Sequence, residues 1–209
     1  MVFVVDSSSS VGRENFDKAV AYISGLVERL PVKSRSARVA VVTYSDRASV
    51  RWYLGTSPSR SDLLARLEHL KYIGGAANTG DALRVVREEV FSPFRGDRPK
   101  ASNRAVLITD GPSNVRPRRT VPEAQQLRAA GVELLAIGVR WNETELDELR
   151  NIVENKDDLF LVDGGYEDLI EDRKLADSIL SRLCGSGKPT KKKRKPRSVL
   201  DLGSTGIAI

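Results

Sequence analysis

Short apolar runs alternate with helical patterns along most of the chain, and this alternation restricts the fold more than any other feature. Runs rich in Val, Ile and Leu occur at 2–6, 38–46, 48–54, 105–110, 132–139 and 158–162. Most are apolar on both faces, as in strands that helices cover on both sides. The second and third runs lie close together around the segment YSDRA. They predict a hairpin, and therefore one antiparallel edge strand.

Helical patterns separate these runs. Apolar residues recur at helical spacing in 14–30, 63–70, 82–90, 121–131, 142–153 and 166–183. The fourth helix is expected to end at Gly131, in the position that favours a left-handed cap. The fifth begins with a capping-box pattern from Asn142 to Glu145. The alternation predicts an α/β domain over residues 1–185, doubly wound around a mainly parallel central sheet with helices on both faces.

The charge of the chain is concentrated at its end. The net charge is +6, and residues 188–209 account for all of it, so residues 1–187 are neutral overall. The segment 186–209 contains the block KKKRKPR, with Gly and Pro around it, and is predicted to be a disordered tail or linker. The neutral domain gives no reason to expect a specific nucleic-acid partner.

The composition excludes several other classes of protein. With one cysteine, Cys184, and one histidine, His69, the chain lacks the ligands of a Cys/His zinc site and cannot form an internal disulfide. No apolar run reaches the roughly 18 residues of a membrane span. There is no signal-peptide pattern, and Met1 falls within a strand-like run, which is typical of an N-terminally incomplete sequence.

Three polar loops carry the candidate chemistry. DSSSSVG begins at Asp6 at the end of the first run, GGAANTGDAL contains Thr79 before the third helix, and LITDGPSN contains Asp110 at the end of the fourth run. In a doubly wound sheet, ligands bind at the carboxyl ends of the strands. The three loops offer hydroxyl and carboxylate oxygens, the ligand set of a hard cation such as Mg²⁺.

These motifs closely resemble the von Willebrand factor type A family, which includes integrin inserted domains and matrix-protein modules such as those of matrilins and collagens. Its signature is Asp-x-Ser-x-Ser, then a distant Thr-Gly, then Thr-Asp-Gly. This chain has Asp6 to Ser10, Thr79-Gly80 and Thr109-Asp110-Gly111 in that order. The resemblance covers residues 1 to about 184 and implies the same doubly wound fold.

The resemblance also implies a metal-ion-dependent adhesion site (MIDAS). In such a site Ser8 and Ser10 bind the ion directly, Thr79 binds it in the ligand-competent state, and Asp6 and Asp110 act mostly through water. A carboxylate from the partner completes the coordination. Mg²⁺ is the expected ion, with Mn²⁺ or Ca²⁺ as alternatives. Ser9 stands where many relatives have glycine, and Ser7 and Ser9 are expected to be turn residues.

Other interpretations of the same residues are weaker. Alone, Asp6 and the serines could cap the helix that begins near Arg13. A serine hydrolase would carry a Gly-x-Ser-x-Gly elbow, which is missing, and His69 falls on a helical pattern away from the three loops. The segment GSGKPT at 185–190 lacks the Ser or Thr of a phosphate loop because Pro189 takes that position.

Three further motifs are open to more than one interpretation. Arg95-Gly96-Asp97 is either an integrin-binding tripeptide or an ordinary loop. Asn142 begins a glycosylation sequon, whose structural alternative is helix capping. The basic segment Lys191–Arg197 is a linker, a contact for glycosaminoglycans or, in a cytosolic chain, a nuclear import signal.

The expected function is a non-enzymatic adhesion or extracellular-matrix module. It would bind an acidic residue of a protein ligand, such as collagen or another matrix protein, through Mg²⁺, and it would be secreted. The alternative is an intracellular or nuclear scaffold of the same fold. Cys184 could be inert, or, in a longer secreted protein, its disulfide partner could lie upstream of Met1.

Overall fold

A computed structural model describes residues 1–32, 37–56 and 59–185. Six strands form one sheet: β1 Val2–Asp6, β2 Ala40–Tyr44, β3 Ala48–Trp52, β4 Asn103–Thr109, β5 Val132–Val139 and β6 Leu159–Val162. The helices are α1 Gly12–Arg29, α2 Arg60–Glu68, α3 Thr79–Val85, α4 Thr120–Ala129, α5 Leu146–Ile152, α6 Tyr166–Glu171 and α7 Arg173–Cys184. The predicted tail at 186–209 lies outside the described residues, so its disorder and the boundary at 185 stay predictions.

The sheet order is β3-β2-β1-β4-β5-β6. All neighbouring strands are parallel except β2 and β3, which form the expected antiparallel hairpin at one edge. This confirms the predicted doubly wound fold. The chain starts at β1 in the middle of the sheet, builds outwards to β3, and then crosses over to β4. The strand order therefore reverses between β1 and β4, which is where such sheets bind ligands.

The core consists of two apolar layers, one on each face of the sheet. Because successive side chains of a strand point to opposite faces, Phe3 and Val5 join one layer whereas Val2 and Val4 join the other. Helices α1, α2, α6 and α7 cover the first layer, and α3, α4 and α5 cover the second. All residues of β1 are buried, as predicted from their continuous apolar sequence.

Several helix boundaries differ from the sequence prediction: the third pattern, 82–90, corresponds to α3 from Thr79 and a following π-helical turn over Val86–Val90. The pattern at 166–183 predicts one helix, but the structure has α6 and α7 with a break at Asp172. The Asp172 carboxylate accepts a hydrogen bond from the Leu175 amide at 2.9 Å and so caps α7. The Asn142–Glu145 capping contacts form, since the Asn142 side chain accepts from the Glu145 amide at 3.1 Å, although regular helix begins only at Leu146. Gly131 has the expected left-handed conformation, with φ +88°.

The Arg95-Gly96-Asp97 tripeptide lies at the amino edge of the sheet, in the segment before β4, and is held by contacts within the chain. The Arg95 guanidinium lies 4.3 Å from the centroid of the Tyr53 ring. The Gly96 carbonyl accepts a hydrogen bond from Arg38 at 2.6 Å, and Asp97 accepts one from Asn103 at 3.1 Å. The tripeptide is therefore part of the domain's own structure, on the side of the sheet opposite the three polar loops.

The remaining sequence features occupy the periphery. His69 follows α2 and is exposed, and Cys184 is a free, exposed thiol at the end of α7. Within the described ranges, none of the helices combines the length and the apolar character that a membrane crossing requires.

Candidate metal site

The strand order brings the first and third polar loops together. β1 and β4 are parallel neighbours in which Val5 pairs with Ile108, so Asp6 and Asp110 leave the same edge of the sheet side by side. The Ser10 hydroxyl donates a hydrogen bond to the Asp110 carboxylate at 3.0 Å. Two residues 100 positions apart in the sequence thus meet at one place.

Asp6 is the buried centre of the site. Its side chain accepts hydrogen bonds from the Ser8 amide at 2.9 Å, the Tyr44 hydroxyl at 3.1 Å and the Thr109 hydroxyl at 2.8 Å. Burial raises the pKa of Asp6, and these donors oppose that shift by stabilising the carboxylate. With three protein donors around it, Asp6 is fixed in position and brings negative charge to the base of the site.

The two serines predicted as ligands adjoin each other. The Ser8 and Ser10 hydroxyl oxygens are 3.0 Å apart. Ser8 is buried and Ser10 is exposed, so the pair extends from the Asp6 pocket towards the surface. Ser8, Ser10 and Asp110 therefore form a continuous row of oxygen atoms.

Thr79 reaches this group through Tyr44. It is buried at the start of α3, and its hydroxyl lies 3.4 Å from that of Tyr44, which in turn donates to Asp6. A Cβ atom on Gly80 would lie 3.3 Å from backbone atoms of Arg119 and Thr120. The small residue after Thr79 thus lets α3 start directly against the loop that follows β4.

Ser7 and Ser9 fasten the loop that precedes α3. The Ser7 hydroxyl accepts a hydrogen bond from the Ile73 amide at 2.8 Å, and the Ser9 hydroxyl accepts one from the Gly75 amide at 2.9 Å. The Ser9 amide also donates to the Gly75 carbonyl at 2.7 Å. Both serines therefore hold the segment leading to Thr79 against the first loop, a more specific role than the turn residues predicted. A glycine in place of Ser9 would lack the hydroxyl contact.

Three residues of the site were not identified from the sequence. Tyr44 ends β2 at the same sheet edge, Thr109 precedes Asp110, and Ser113 accepts a hydrogen bond from the Thr79 amide at 3.3 Å. Thr109 and Ser113 stood within the quoted motifs, and Tyr44 ends a strand beside β1. Burial and the charge of Asp6 raise the pKa of Tyr44 well above its usual range, so its hydroxyl stays a donor.

The surroundings of Asp110 disfavour its charged form. Burial, and then the charge of Asp6, raise its pKa from 3.8 to about 6. The Ser10 hydroxyl and the charge of Arg140 counteract part of this shift. A positive charge placed between Asp6 and Asp110 would remove the repulsion that keeps this pKa high.

This raised pKa predicts a pH-dependent effect of Asp110→Asn in EDTA. Because the folded pKa exceeds the unfolded one, the proton on Asp110 stabilises the fold below about pH 4, and this contribution is lost as the pH rises through 6. After allowance for partial exposure, we expect Asp110→Asn to raise the free energy of unfolding by about 1–2 kcal/mol at pH 7.5. Thermal melts of both proteins at pH 4 and 7.5 measure it. An equal difference at both pH values would contradict it.

The donor set fits a hard divalent cation. All the gathered groups are oxygens, and Mg²⁺ with bonds of about 2.0–2.1 Å has octahedral edges of about 3.0 Å. The hydroxyl oxygens of Ser8 and Ser10, the two direct ligands expected from the resemblance, are 3.0 Å apart. In the described part of the chain, no group of three or more His, Cys, Asp or Glu residues could hold a metal ion. An ion at this edge would thus rely on hydroxyls and two carboxylates.

A doubly wound domain with an oxygen-lined site at the carboxyl edge of its sheet belongs to a class of α/β domains that bind ligands at the strand ends. Within that class, the chain belongs to the von Willebrand factor type A domain family, which matches residues 1–171. The family expectation from the three motifs is therefore confirmed.

Several relatives carry names of matrix proteins. The chain is 31% identical to the collagen alpha-1(XII) chain of Notophthalmus viridescens over 90% of its own length, and 32% identical to matrilin-2 of Mus musculus over 71%. It spans only 20% and 16% of these two relatives. The family thus occurs as one part of much longer proteins.

Solved structures show the same fold. Proximal thread matrix protein 1 from the mussel byssus is similar with a TM-score of 0.79 and 25% identity, over 88% of this chain and 47% of that one. A further structure of that mussel protein, with a TM-score of 0.76, has a zinc-occupied MIDAS motif. A divalent ion at this place is thus known in a protein of the same fold.

Proposed function

We propose that this domain is a non-enzymatic adhesion module that binds an acidic residue of a matrix protein through a divalent cation. Ser8, Ser10 and Thr79 would provide hydroxyl ligands, whereas Asp6 and Asp110 would act through water. The observation that carries the proposal is the row of oxygens from Ser8 through Ser10 to Asp110 above the buried Asp6. Mg²⁺ fits best, with Mn²⁺ or Ca²⁺ as alternatives.

Some residues of the site would balance the charge of the ion, and others hold its ligands in position. The bound cation would supply the positive centre that attracts the partner's carboxylate. Asp6 holds the Ser8 amide and so fixes the turn on which both serines lie. Tyr44 connects Asp6 to Thr79, and Ser9 ties the loop before Thr79 to the same turn. The three loops are therefore organised before any ligand arrives.

The charges favour an anionic partner. Ser8, Ser10 and Thr79 bring neutral oxygens, and only Asp6 and Asp110 bring negative charge. Since several helices begin at this sheet edge, their positive dipole ends add to its attraction for anions. An Asp or Glu side chain of a protein ligand meets this requirement.

The hydroxyl contacts argue for binding rather than hydrolysis. A nucleophilic serine needs an adjacent general base, most often a histidine. The Ser8 and Ser10 hydroxyls instead contact each other and Asp110, and the one histidine, His69, lies after α2. This arrangement resembles a ligand set for a cation.

Relatives named as collagen chains and matrilin-2 support a matrix role and an extracellular location. Collagen is the first candidate ligand. The glycosaminoglycan contact proposed for Lys191–Arg197 concerns residues outside the described ranges and rests on their charge alone. The alternative is an intracellular or nuclear scaffold, which the names of those relatives do not favour.

A binding measurement tests the proposal. The chain should bind a surface of fibrillar collagen, or failing that of whole extracellular-matrix extract, in buffer containing Mg²⁺. Because the partner's carboxylate is expected to bind the ion, EDTA should release the bound protein from the surface. Added Mg²⁺ should restore the binding. Binding that is equal in EDTA, or no binding to either surface, would contradict the proposal.

A further inference from the structure

The carboxyl edge of the sheet carries a set of exposed cations without ion-pair partners among the described residues. They are Arg13, Arg47, Lys71, Arg116, Arg118 and Arg140. Exposed cations without an ion pair among the described residues also occur elsewhere, as at Arg173 and Lys174, but these six lie on the same side of the sheet as the candidate metal site. Unpaired cations that gather on one face around a candidate ligand site are a sign of an electrostatic interaction surface.

Acidic residues share this edge, and some of them are engaged within the chain. The Asp46 side chain accepts a hydrogen bond from the Ala76 amide, and Glu143 pairs with Arg150. Asp163, after β6, is exposed. The edge therefore carries charges of both signs, and what its six cations named above share is exposure without an ion pair in the described part of the chain.

Two of these cations are held beside the site by the loop after β4. We call residues 116–119 the arginine turn: Arg116 has a left-handed conformation with φ +50°, and Pro117–Arg119 form a short 3-10 helix. The preceding Val115 amide donates to the Ala77 carbonyl at 2.9 Å, two residues before Thr79. The arginine turn is therefore attached to the segment that carries Thr79.

Arg116 and Arg118 are the free members of the arginine turn. Arg119 pairs with Glu123 on α4, whereas Arg116 and Arg118 are exposed and form no ion pair within the described part of the chain. Guanidinium groups bind carboxylates through two parallel hydrogen bonds. A partner whose carboxylate occupies the metal site would bring its neighbouring residues to these two side chains.

We propose that the partner is an acidic protein segment, in which one carboxylate binds at the metal site and a second is bound by Arg116 and Arg118. The inference rests on the proposed function and adds a specificity-determining contact to it. A protein segment is favoured over a sulfated polysaccharide because binding at the ion requires a carboxylate at a fixed place, whereas a polysaccharide held by charge alone would not depend on the metal.

Two synthetic peptides of equal length test this. One has a single Glu among Gly and Ser, and the other has further Glu residues on both sides of the same Glu. In Mg²⁺ the full chain should bind the second peptide more tightly. The double variant Arg116→Gln/Arg118→Gln should weaken that binding about fivefold. Its affinity for the single-Glu peptide and for Mg²⁺ should not change.

The matched control is Arg173→Gln/Lys174→Gln, which removes the same charge from exposed positions at the start of α7. It should leave both affinities unchanged, and the basic tail, present in every protein, cancels from the comparison. Thermal melts of both variants should equal that of the wild type, because all four side chains are exposed.

Three outcomes would overturn the inference. If the arginine-turn variant binds the Glu-rich peptide as tightly as the wild type while Mg²⁺-dependent binding of the single-Glu peptide persists, this contact alone is wrong. If a heparin oligosaccharide binds through Arg116 and Arg118, so that the double variant loses affinity for it equally in Mg²⁺ and in EDTA, the edge is a general polyanion surface. If neither peptide binds in a metal-dependent way, the proposed function fails and the inference with it.

Discussion

Replacing Asp110 with alanine is expected to abolish metal-dependent ligand binding and to lower the affinity for Mg²⁺ by at least about 10–100-fold, the usual effect of removing a group that orients a metal's ligands. Asp110 is one of two carboxylates at the site, and it holds the Ser10 hydroxyl at 3.0 Å. Without it, Ser10 loses its orientation and the ion loses half of its balancing charge. Calorimetric titration of Mg²⁺ into both proteins measures the effect.

The control for charge is Asp163→Ala, an exposed carboxylate after β6 on the same sheet edge. It should leave the Mg²⁺ affinity unchanged. Asp110→Ala should also fold as well as the wild type in EDTA, because the removed carboxylate is the one whose pKa burial and Asp6 raise. An unchanged Mg²⁺ affinity in Asp110→Ala would show that these loops only cap helices.

Phe16→Ala should cause a large loss of stability. Phe16 lies on α1 and is fully buried in the layer that covers one face of the sheet. Because the core is closely packed, removing the Phe16 ring would leave a cavity. We expect the free energy of unfolding to fall by about 3–5 kcal/mol. For a domain of this size, the melting temperature should fall by about 10 °C. Denaturant titration and thermal melts measure both quantities.

Phe94→Ala provides a control of the same chemistry, since Phe94 is 98% exposed. It should change the free energy of unfolding by less than about 0.5 kcal/mol. Equal effects of the two substitutions would contradict the arrangement of the core described above.

Phe16 also connects the core to the metal site. Its ring lies 5.9 Å from that of Tyr72, and the Tyr72 hydroxyl donates to the Ser8 carbonyl at 3.2 Å. Loss of the Phe16 ring removes support for Tyr72, so Phe16→Ala should weaken Mg²⁺ binding as well as stability. In Phe94→Ala the Mg²⁺ affinity should be that of the wild type.

Local patterns in the sequence were enough to predict the class of fold and the approximate extents of most elements. A strand buried on both faces needs a continuous apolar run, and β1 has one. A helix that ends in a left-handed residue favours glycine, and Gly131 is where α4 gives way to β5. Such requirements act on neighbouring residues, so a single sequence displays them.

The same patterns did not show the break at Asp172. Helical spacing of apolar residues continues from Leu169 to Leu183, because α6 and α7 both pack on the layer beside α1. The spacing of apolar residues indicates which side of a segment is buried. Both helices bury their apolar sides against the same layer, so the spacing continues across the break. The change in direction between them depends on the surface beneath, which the sequence does not display.

The three motifs identified Asp6, Ser8, Ser10, Thr79 and Asp110 as a set, but their arrangement was decided by tertiary structure. The parallel pairing of β1 with β4 places Asp6 beside Asp110, and that of β1 with β2 brings in Tyr44, 38 residues from Asp6 in sequence. Strand order also determines which loops share an edge. The unpaired Arg116 and Arg118 beside the site were hidden for the same reason: a count of charges sums over the sequence, whereas ion pairing depends on where the folded chain places the charges.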